Sequence, residues 1–231
     1  MIQIKLNGAE VMVEEWWTIL DACKFYGIEI PTLCYKEHLS PYGACRLCTV
    51  EIGEGERTKM VSSCTYPVSE GLVVRTHTKA VVKARKVLVE LLVSLTPSSK
   101  VIQDLASALH VTKVRFEPKR VDCILCGLCV RICAEQMDGR AIGFVERGSD
   151  RRITTPFDIK SDVCRLCGAC IWVCPVCQAR CQGPDEESLL CNACLKEEPT
   201  CFAIGDDYAC WMGGKGECGT CIPVEETKEK K

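Results

Sequence analysis

Apolar and polar positions alternate in short runs over the first eighty residues, and turn-forming residues separate the runs. The alternation covers residues 2–6 and 11–13, and the Asn7-Gly8 pair between them is a strong signal for a tight hairpin turn. Thr18 then suits the capping position of a short helix over about residues 19–26. Gly27 suits the left-handed position after the end of that helix. The pattern therefore predicts a β-hairpin followed by one short helix.

Further strands are predicted over residues 49–52, 59–62 and 72–76, with glycines marking the turn between the first two. The spacing of apolar residues then becomes helical and predicts helices over 81–95 and 101–109, the second preceded by the stop and cap signal Pro97-Ser98-Ser99. The order of elements predicts an α+β chain. It begins with a β-grasp domain over residues 1–78, followed by a helical connector over 79–118.

Cysteine is the residue type that sets this chain apart, since it accounts for 21 of the 231 residues. An odd number cannot pair completely within the chain, and the strand-like opening does not resemble a secretory signal, so we expect thiolate-bound metal in a reducing cytoplasm. The formal net charge of -2, with both signs spread along the chain, gives no indication of nucleic-acid binding. The longest strongly apolar stretch, residues 87–95, is too short to span a membrane, so a soluble protein is expected.

Two nearly matching cysteine runs carry the clearest chemical signal. They are Cys123-Ile-Leu-Cys126-Gly-Leu-Cys129-Val-Arg-Ile-Cys133 and Cys164-Arg-Leu-Cys167-Gly-Ala-Cys170-Ile-Trp-Val-Cys174-Pro175. Both follow the spacing by which bacterial-type ferredoxins bind [4Fe-4S] clusters, and the glycine after each second cysteine lets the backbone approach the inorganic sulfides closely. The runs predict a two-cluster ferredoxin domain over residues 119–176.

The fourth cysteine of each run is expected to bind the other cluster, as it does in two-cluster ferredoxins. One cluster then takes Cys123, Cys126, Cys129 and Cys174, and the other takes Cys164, Cys167, Cys170 and Cys133. The thirty residues between the runs leave ample chain for folding back. Only the second run ends in Cys-Pro, so Ala134 is a small departure from the pattern.

Four further cysteines lie in the predicted β-grasp domain, two of them as a close pair in a loop of small residues: Cys34, Cys45, Cys48 and Cys64. Such a set can enclose a [2Fe-2S] cluster, because Gly43 and Ala44 let main-chain amides point at its sulfides. The first gap of ten residues is not the spacing of plant-type ferredoxins.

These segments resemble a known family. The relevant residues are Pro31-Thr-Leu-Cys34, Tyr42-Gly-Ala-Cys45-Arg-Leu-Cys48-Thr-Val-Glu, Ser63-Cys64-Thr-Tyr-Pro-Val and Asp122-Cys-Ile-Leu-Cys-Gly-Leu-Cys129. Together they are similar to the iron–sulfur entry module of NADH-linked complexes. Members include the peripheral iron–sulfur subunit of respiratory complex I, the small diaphorase subunit of NAD-linked nickel–iron hydrogenases with its electron-bifurcating relatives, and the amino-terminal part of iron-only hydrogenases. The resemblance covers residues 1 to about 176 and is closest to the diaphorase subunit.

The resemblance implies that Cys34, Cys45, Cys48 and Cys64 hold a [2Fe-2S] cluster. Its members usually carry a further [4Fe-4S] cluster, bound by one histidine and three cysteines, between the two domains. This chain has no cysteine between Cys64 and Cys123, so we expect that cluster to be absent. The histidines His38, His77 and His110 are then expected to be ordinary loop, surface or capping residues.

Nine cysteines remain, of which Cys23 is expected to be a buried thiol in the short helix. The other eight lie in a predicted metal-binding module over residues 177–223, before a charged tail over 224–231: Cys177, Cys181, Cys191, Cys194, Cys201, Cys210, Cys218 and Cys221. In chain order they form two sets of four. The first set, Cys177, Cys181, Cys191 and Cys194, has a spacing that suits tetrahedral zinc, and the second is less regular. A competing grouping places a third cubane on Cys191, Cys194, Cys201 and Cys210, by similarity to iron–sulfur subunits that serve molybdenum and tungsten oxidoreductases.

No flavin or nicotinamide fingerprint, phosphate loop or catalytic triad is apparent, so the chain is expected to carry single electrons without performing hydride chemistry. We predict an electron-transfer subunit of a cytoplasmic multi-subunit oxidoreductase. It would link a flavin NAD(P)H subunit with a hydrogenase, formate dehydrogenase or similar catalytic partner, and with ferredoxin if the complex bifurcates electrons. A free ferredoxin-like shuttle and a zinc-dominated assembly or scaffold protein are the two alternatives.

Overall fold

The computed structural model describes residues 1–119, 121, 123–178 and 188–191. The chain divides into two compact units, Met1–Leu88 and Val89–Lys231. Among the described residues, no helix combines the length and the apolar character that crossing a membrane requires.

A five-stranded mixed sheet forms the centre of the first unit. Its strands are β1 (Ile2–Leu6), β2 (Ala9–Val13), β3 (Thr49–Ile52), β4 (Lys59–Ser62) and β5 (Val73–Arg75). They lie in the order β2-β1-β5-β3-β4, with β1 and β5 parallel and every other neighbouring pair antiparallel. The strands predicted over 49–52 and 59–62 are confirmed, and the strand predicted over 72–76 is one residue shorter at each end.

The hairpin of β1 and β2 turns on two residues with left-handed backbone. Asn7 and Gly8 have φ angles of 50° and 93°, the combination by which a two-residue turn matches the twist of its strands. The two strands pair along their whole length, and Ile4 and Leu6 alternate into the core. The predicted hairpin is confirmed in position and in turn chemistry.

The first helix, α1 (Ile19–Phe25), begins at a capping box. The Asp21 N–H donates to the Thr18 hydroxyl at 3.3 Å, and the Thr18 N–H donates to the Asp21 carboxylate at 2.9 Å. The helix ends just before Gly27, whose φ of 69° suits the position after a helix. Its inner face, which includes Cys23, packs in one hydrophobic core with the sheet.

Two longer helices follow the sheet. They are α2 (Lys79–Leu95) and α3 (Lys100–Ala108), which begin one or two residues before the predicted starts. The Ser99 hydroxyl caps α3 by accepting a hydrogen bond from the Ile102 N–H at 3.5 Å. The helices and the cap that the sequence pattern predicts are confirmed.

The two cysteine runs of the second unit have the same local fold. The short helices α4 (Leu128–Arg131) and α5 (Ala169–Trp172) each follow a left-handed glycine, Gly127 with φ 72° and Gly168 with φ 74°. α4 continues into a π-helical turn (Ile132–Gln136) and packs against α5.

A second hairpin lies between the two runs and consists of β6 (Gly143–Val145) and β7 (Arg152–Thr154). The sequence pattern does not predict it, because strands of three residues are too short to show alternation. Single 3-10 turns occupy Gly55–Arg57, Gly148–Asp150 and Pro156–Asp158.

Candidate metal centres

Four of the five cysteines of the first unit share one site, and Cys23 is the exception. Cys34 follows α1, Cys45 and Cys48 lie in the loop before β3, and Cys64 follows β4. Cys45 is half-buried and the other three are buried. The sulfurs of Cys34, Cys45 and Cys48 all act electrostatically on Cys64, so the four thiols are close neighbours.

The four sulfurs form two close pairs. Cys48 Sγ and Cys64 Sγ are 3.3 Å apart, and the Cys45 N–H donates to Cys34 Sγ at 3.4 Å. The hydrogen bond with the Cys45 thiol lowers the pKa of Cys34 to about 6, and the hydrogen bond with the Cys64 thiol lowers the pKa of Cys48 to about 5. The same hydrogen bonds raise the pKa of Cys45 and of Cys64. Within each pair the hydrogen bond favours the thiolate form of one cysteine, and thiolate is the form of cysteine that binds metal.

Main-chain amides surround the first of these pairs. The N–H groups of Ala44 and Cys45 face the Cys34 sulfur and contribute to its lowered pKa. Gly43 holds a φ of 69°, and a Cβ at this position would come within 3.2 Å of the Thr65 side chain. The close approach of amides to sulfur is the role that the sequence predicts for the small residues of this loop.

Two buried hydroxyls lie beside Cys48 without a conventional partner. The Oγ atoms of Ser62 and Ser63 form no hydrogen bond of normal geometry with another described group, and their weak hydrogen bonding to the Cys48 sulfur lowers the pKa of that thiol. A buried hydroxyl without a partner costs free energy. The two serine hydroxyls could donate hydrogen bonds to the sulfurs of a bound [2Fe-2S] cluster. The residues of the site therefore fit that cluster.

In the second unit, Cys174 lies with the first cysteine run. Burial raises the pKa of Cys126 to about 12 and the pKa of Cys129 to about 11, and the Cys174 sulfur contributes to both increases. Cys123 acts on the same two thiols. The structure therefore brings together the four cysteines that the spacing predicts for one cluster.

Cys133 lines a cavity together with the second cysteine run. The cavity has a volume of about 410 Å³, within the range of roughly 300–1,000 Å³ that is typical of ligand pockets. The thiols on its walls belong to the set predicted for the other cluster: Cys133, Cys164, Cys167 and Cys170. Apolar residues line much of the remainder, including Met137, Ile142, Val163 and Leu166. A mostly apolar cavity lined by four thiols fits a cubane.

The two runs also share an unusual backbone. Leu125 and Leu166, each just before the second cysteine of its run, have left-handed φ angles of 52° and 54°. The Leu125 N–H donates to Cys123 Sγ at 3.4 Å, and the Ala141 N–H donates to Cys133 Sγ at the same distance. The two runs therefore share a left-handed residue before the second cysteine, and in the first run amides are directed at the sulfurs of Cys123 and Cys133.

Only two cysteines of the predicted carboxy-terminal module lie in the described residues. Cys177 is half-buried, and Cys191 is buried with its N–H donating to Gln103 Oε1 at 2.8 Å. The other six lie outside the described residues: Cys181, Cys194, Cys201, Cys210, Cys218 and Cys221. Across the part of the chain that the structure describes, no three histidine, cysteine or acidic side chains converge to hold a single metal ion. The zinc and third-cubane groupings both stay predictions.

The three histidines occupy turns or element ends. His77 shares a 2.6 Å hydrogen bond with the Thr76 hydroxyl just before α2, and burial together with nearby Arg85 lowers its pKa. His38 and His110 have left-handed φ angles of 65° and 51°. These positions agree with the loop and capping roles expected from the sequence.

Two family models match the chain in the predicted order. A 2Fe-2S iron-sulfur cluster binding domain matches residues 1–79, and a 4Fe-4S dicluster domain matches residues 122–182. The chain is an iron–sulfur protein. Its first domain carries a [2Fe-2S] cluster and its second carries two [4Fe-4S] clusters, so the cofactor prediction for both domains is confirmed.

This iron–sulfur protein is similar to chains of larger oxidoreductases. It is 34% identical over 203 residues to an NADH-quinone oxidoreductase subunit of Rhizobium meliloti (strain 1021), and 34% identical over 201 residues to the NADH-ubiquinone oxidoreductase 75 kDa subunit of Reclinomonas americana. It is 30% identical over 200 residues to the alpha subunit of the NADPH-Fe(3+) oxidoreductase of Geobacter sulfurreducens. The resemblance inferred from the cysteine segments is confirmed.

Each of these alignments covers 76% of this chain but only 23%, 29% and 23% of the respective relative. The chain therefore spans less than a third of the length of the curated relatives it matches. A crystal structure of an NAD+-reducing [NiFe]-hydrogenase in the H2-reduced state contains a chain with a TM-score of 0.60. That match has 23% sequence identity and covers 71% of this chain and 83% of the other, so it establishes a shared fold.

Proposed function

We propose that this iron–sulfur protein is an electron-transfer subunit of a cytoplasmic multi-subunit oxidoreductase. It would pass single electrons between a flavin subunit that oxidises or reduces NAD(P)H and a catalytic subunit such as a hydrogenase or formate dehydrogenase. The observation that carries the proposal is the succession of a [2Fe-2S] domain and a [4Fe-4S] dicluster domain in one chain. Several one-electron centres in one chain suit electron transfer between other subunits better than they suit hydride transfer.

The proposal assigns the ligands by the groups that the structure brings together. Cys34 and Cys45 would share one iron of the [2Fe-2S] cluster, and Cys48 and Cys64 the other, because the two thiols of each pair are hydrogen-bonded to each other. The two cubanes would take the crossed sets, with Cys174 joining the first run and Cys133 the second. When bound, the clusters supply reversible one-electron chemistry. The protein's part is to hold thiolates, direct amides at sulfur and control burial.

The arrangement of domains belongs to the same proposal. We assign residues 1–78 to a β-grasp domain, supported by the mixed sheet with its parallel β1 and β5, and residues 119–176 to the dicluster domain. Residues 79–118 would form the helical connector, with α2 and α3 as its helices. Residues 177–223 would form a further metal-binding module before the charged tail.

A partner-capture experiment tests the proposal. The tagged chain is purified without oxygen from its native host, and the captured proteins are analysed for bound flavin. We expect a flavoprotein to co-purify, and NADH or NADPH to bleach the visible absorbance of the clusters through it. A stable monomer that exchanges electrons only by diffusion would contradict the proposal and favour the free shuttle.

The alternative of a zinc-dominated scaffold makes a different prediction. It requires zinc as the main metal, with little iron and no acid-labile sulfide. The two matched cluster domains argue against it, because they span all thirteen cysteines outside the carboxy-terminal module.

A further inference from the structure

A buried arginine interrupts the apolar face of α2. Arg85 lies four residues after Val81 and four before Val89, so all three share one helix face. The two valines are 0% exposed and the arginine only 1%. Arginine is almost never buried to this extent unless it is paired, because removing a charge from water is costly.

The hydrogen bonds of Arg85 do not account for its burial. One terminal nitrogen donates to the Thr49 carbonyl at 2.8 Å, and the Nε atom has no hydrogen-bond partner. No carboxylate among the described residues forms an ion pair with it. The guanidinium therefore has a spare donor and a positive charge that nothing described in the first unit neutralises.

Two thiols and one histidine are the titratable groups that the Arg85 charge affects: Cys23, Cys48 and His77. Burial raises the pKa of Cys23 to about 11, so this thiol is neutral at physiological pH and supplies no negative charge. The histidine cannot supply one either. The remaining group is Cys48, one of the four cysteines of the [2Fe-2S] site, and it directly precedes Thr49, whose carbonyl accepts the hydrogen bond from Arg85.

We infer that Arg85 is the buried counter-cation of the [2Fe-2S] cluster and raises its reduction potential. The inference rests on the proposed ligand role of Cys48. Reduction places one more electron, and so one more negative charge, on the cluster. A fixed positive charge in a medium of low dielectric constant favours that reduced form. Because arginine does not lose its proton in proteins, this effect does not vary with pH.

Redox titration of variants of the full chain tests the inference. Midpoint potentials of the [2Fe-2S] cluster are read from its electron paramagnetic resonance signal, with dithionite as the electron donor, alongside iron and sulfide content. Arg85→Met removes the charge and keeps most of the volume, Arg85→Gln removes the charge and keeps a donor, and Arg85→Lys keeps the charge. Lys83→Met is the matched control, since it removes an exposed charge from the same helix.

We expect the potential to become more negative in Arg85→Met and Arg85→Gln, and to stay near the wild-type value in Arg85→Lys and Lys83→Met. An unchanged potential in Arg85→Met, or an equal fall in Lys83→Met, would overturn the inference.

Some variants could fail to assemble the [2Fe-2S] cluster, and the pattern of assembly then tests the inference. If neither uncharged variant assembles the [2Fe-2S] cluster but Arg85→Lys does, the requirement for charge is upheld. If Arg85→Lys also fails to assemble it, Arg85 has a packing role and the inference is wrong. Survival of the [2Fe-2S] signal in a Cys48→Ser variant with Arg85 unchanged would instead contradict the ligand assignment on which the inference rests.

Discussion

Cys48, a proposed iron ligand, and Cys23, a buried thiol of α1, differ in the polar groups around their sulfurs. Cys48 has the Cys64 thiol at 3.3 Å and two serine hydroxyls beside it, and these groups lower its pKa to about 5. Cys23 lies in the hydrophobic core, where burial raises its pKa to about 11. One thiol is therefore prepared for ligation and the other for packing.

This contrast predicts opposite outcomes for two substitutions. Cys48→Ser should abolish the [2Fe-2S] signal and leave the [4Fe-4S] signals in place, because serine is a poor replacement for a thiolate ligand. Cys23→Ala should keep all cluster signals and reduce stability by about 1 kcal/mol, the cost of deleting one small buried group. Iron and sulfide content and paramagnetic resonance of the reduced protein provide the measurement. Retention of the [2Fe-2S] signal in Cys48→Ser would contradict the ligand assignment.

Sequence spacing predicts the cubane cysteines, because the proposed ligands recur at short, fixed intervals within each run, whereas the [2Fe-2S] set follows from the family resemblance. It did not find Arg85, Ser62 or Ser63, because groups that surround a cluster obey no such interval. A signal for Arg85 is nevertheless present, since it occupies an apolar position of an amphipathic helix between Val81 and Val89.

At the scale of elements, α1 is fixed by its cap and determines where the following loop with Cys34 begins. Thr18→Ala removes the hydroxyl that satisfies the Asp21 N–H, and such a loss costs about 1 kcal/mol. We expect a lower midpoint for the urea-induced loss of the [2Fe-2S] visible circular dichroism. Thr112→Ala is the control, because Thr112 is exposed and outside any helix, and its midpoint should stay within error of the wild type. Equal shifts in both variants would show that the cap contributes nothing specific.

The two hairpins show what sequence can and cannot predict about elements. The β1–β2 hairpin has five-residue strands that alternate and an Asn7-Gly8 turn, so its pattern and its turn chemistry agree. The β6–β7 hairpin has three residues per strand and none of its six positions is fully buried. It lies in the segment that connects the two cysteine runs, and its alternation of apolar and polar residues is too short to predict a strand.

At the scale of the whole molecule, the proposed crossed ligation of the two cubanes would make each cluster depend on both runs. A chain whose runs acted independently would lose the cluster of the first run when Cys133 is replaced. Crossed ligation predicts that the same replacement removes the cluster of the second run, because Cys133 lines the cavity of the second run and Cys174 lies with the first.

Three single variants distinguish these arrangements. We expect Cys133→Ser to reproduce the paramagnetic resonance spectrum of Cys167→Ser, since both would lose the cluster of the second run. The spectrum of Cys126→Ser should differ from both, because that variant would lose the other cubane. A Cys133→Ser spectrum that matches Cys126→Ser would contradict the crossed assignment.

The central claim is that one chain holds three iron–sulfur clusters as a path for single electrons. Quantification of iron, acid-labile sulfide and zinc in anaerobically purified protein, combined with stepwise reduction, tests it most directly. Two irons from the first domain and four from each cubane predict about ten irons per chain, with matching sulfide. About fourteen would add a cubane in the carboxy-terminal module, extending the path. Zinc as the main metal, without labile sulfide, would contradict the claim.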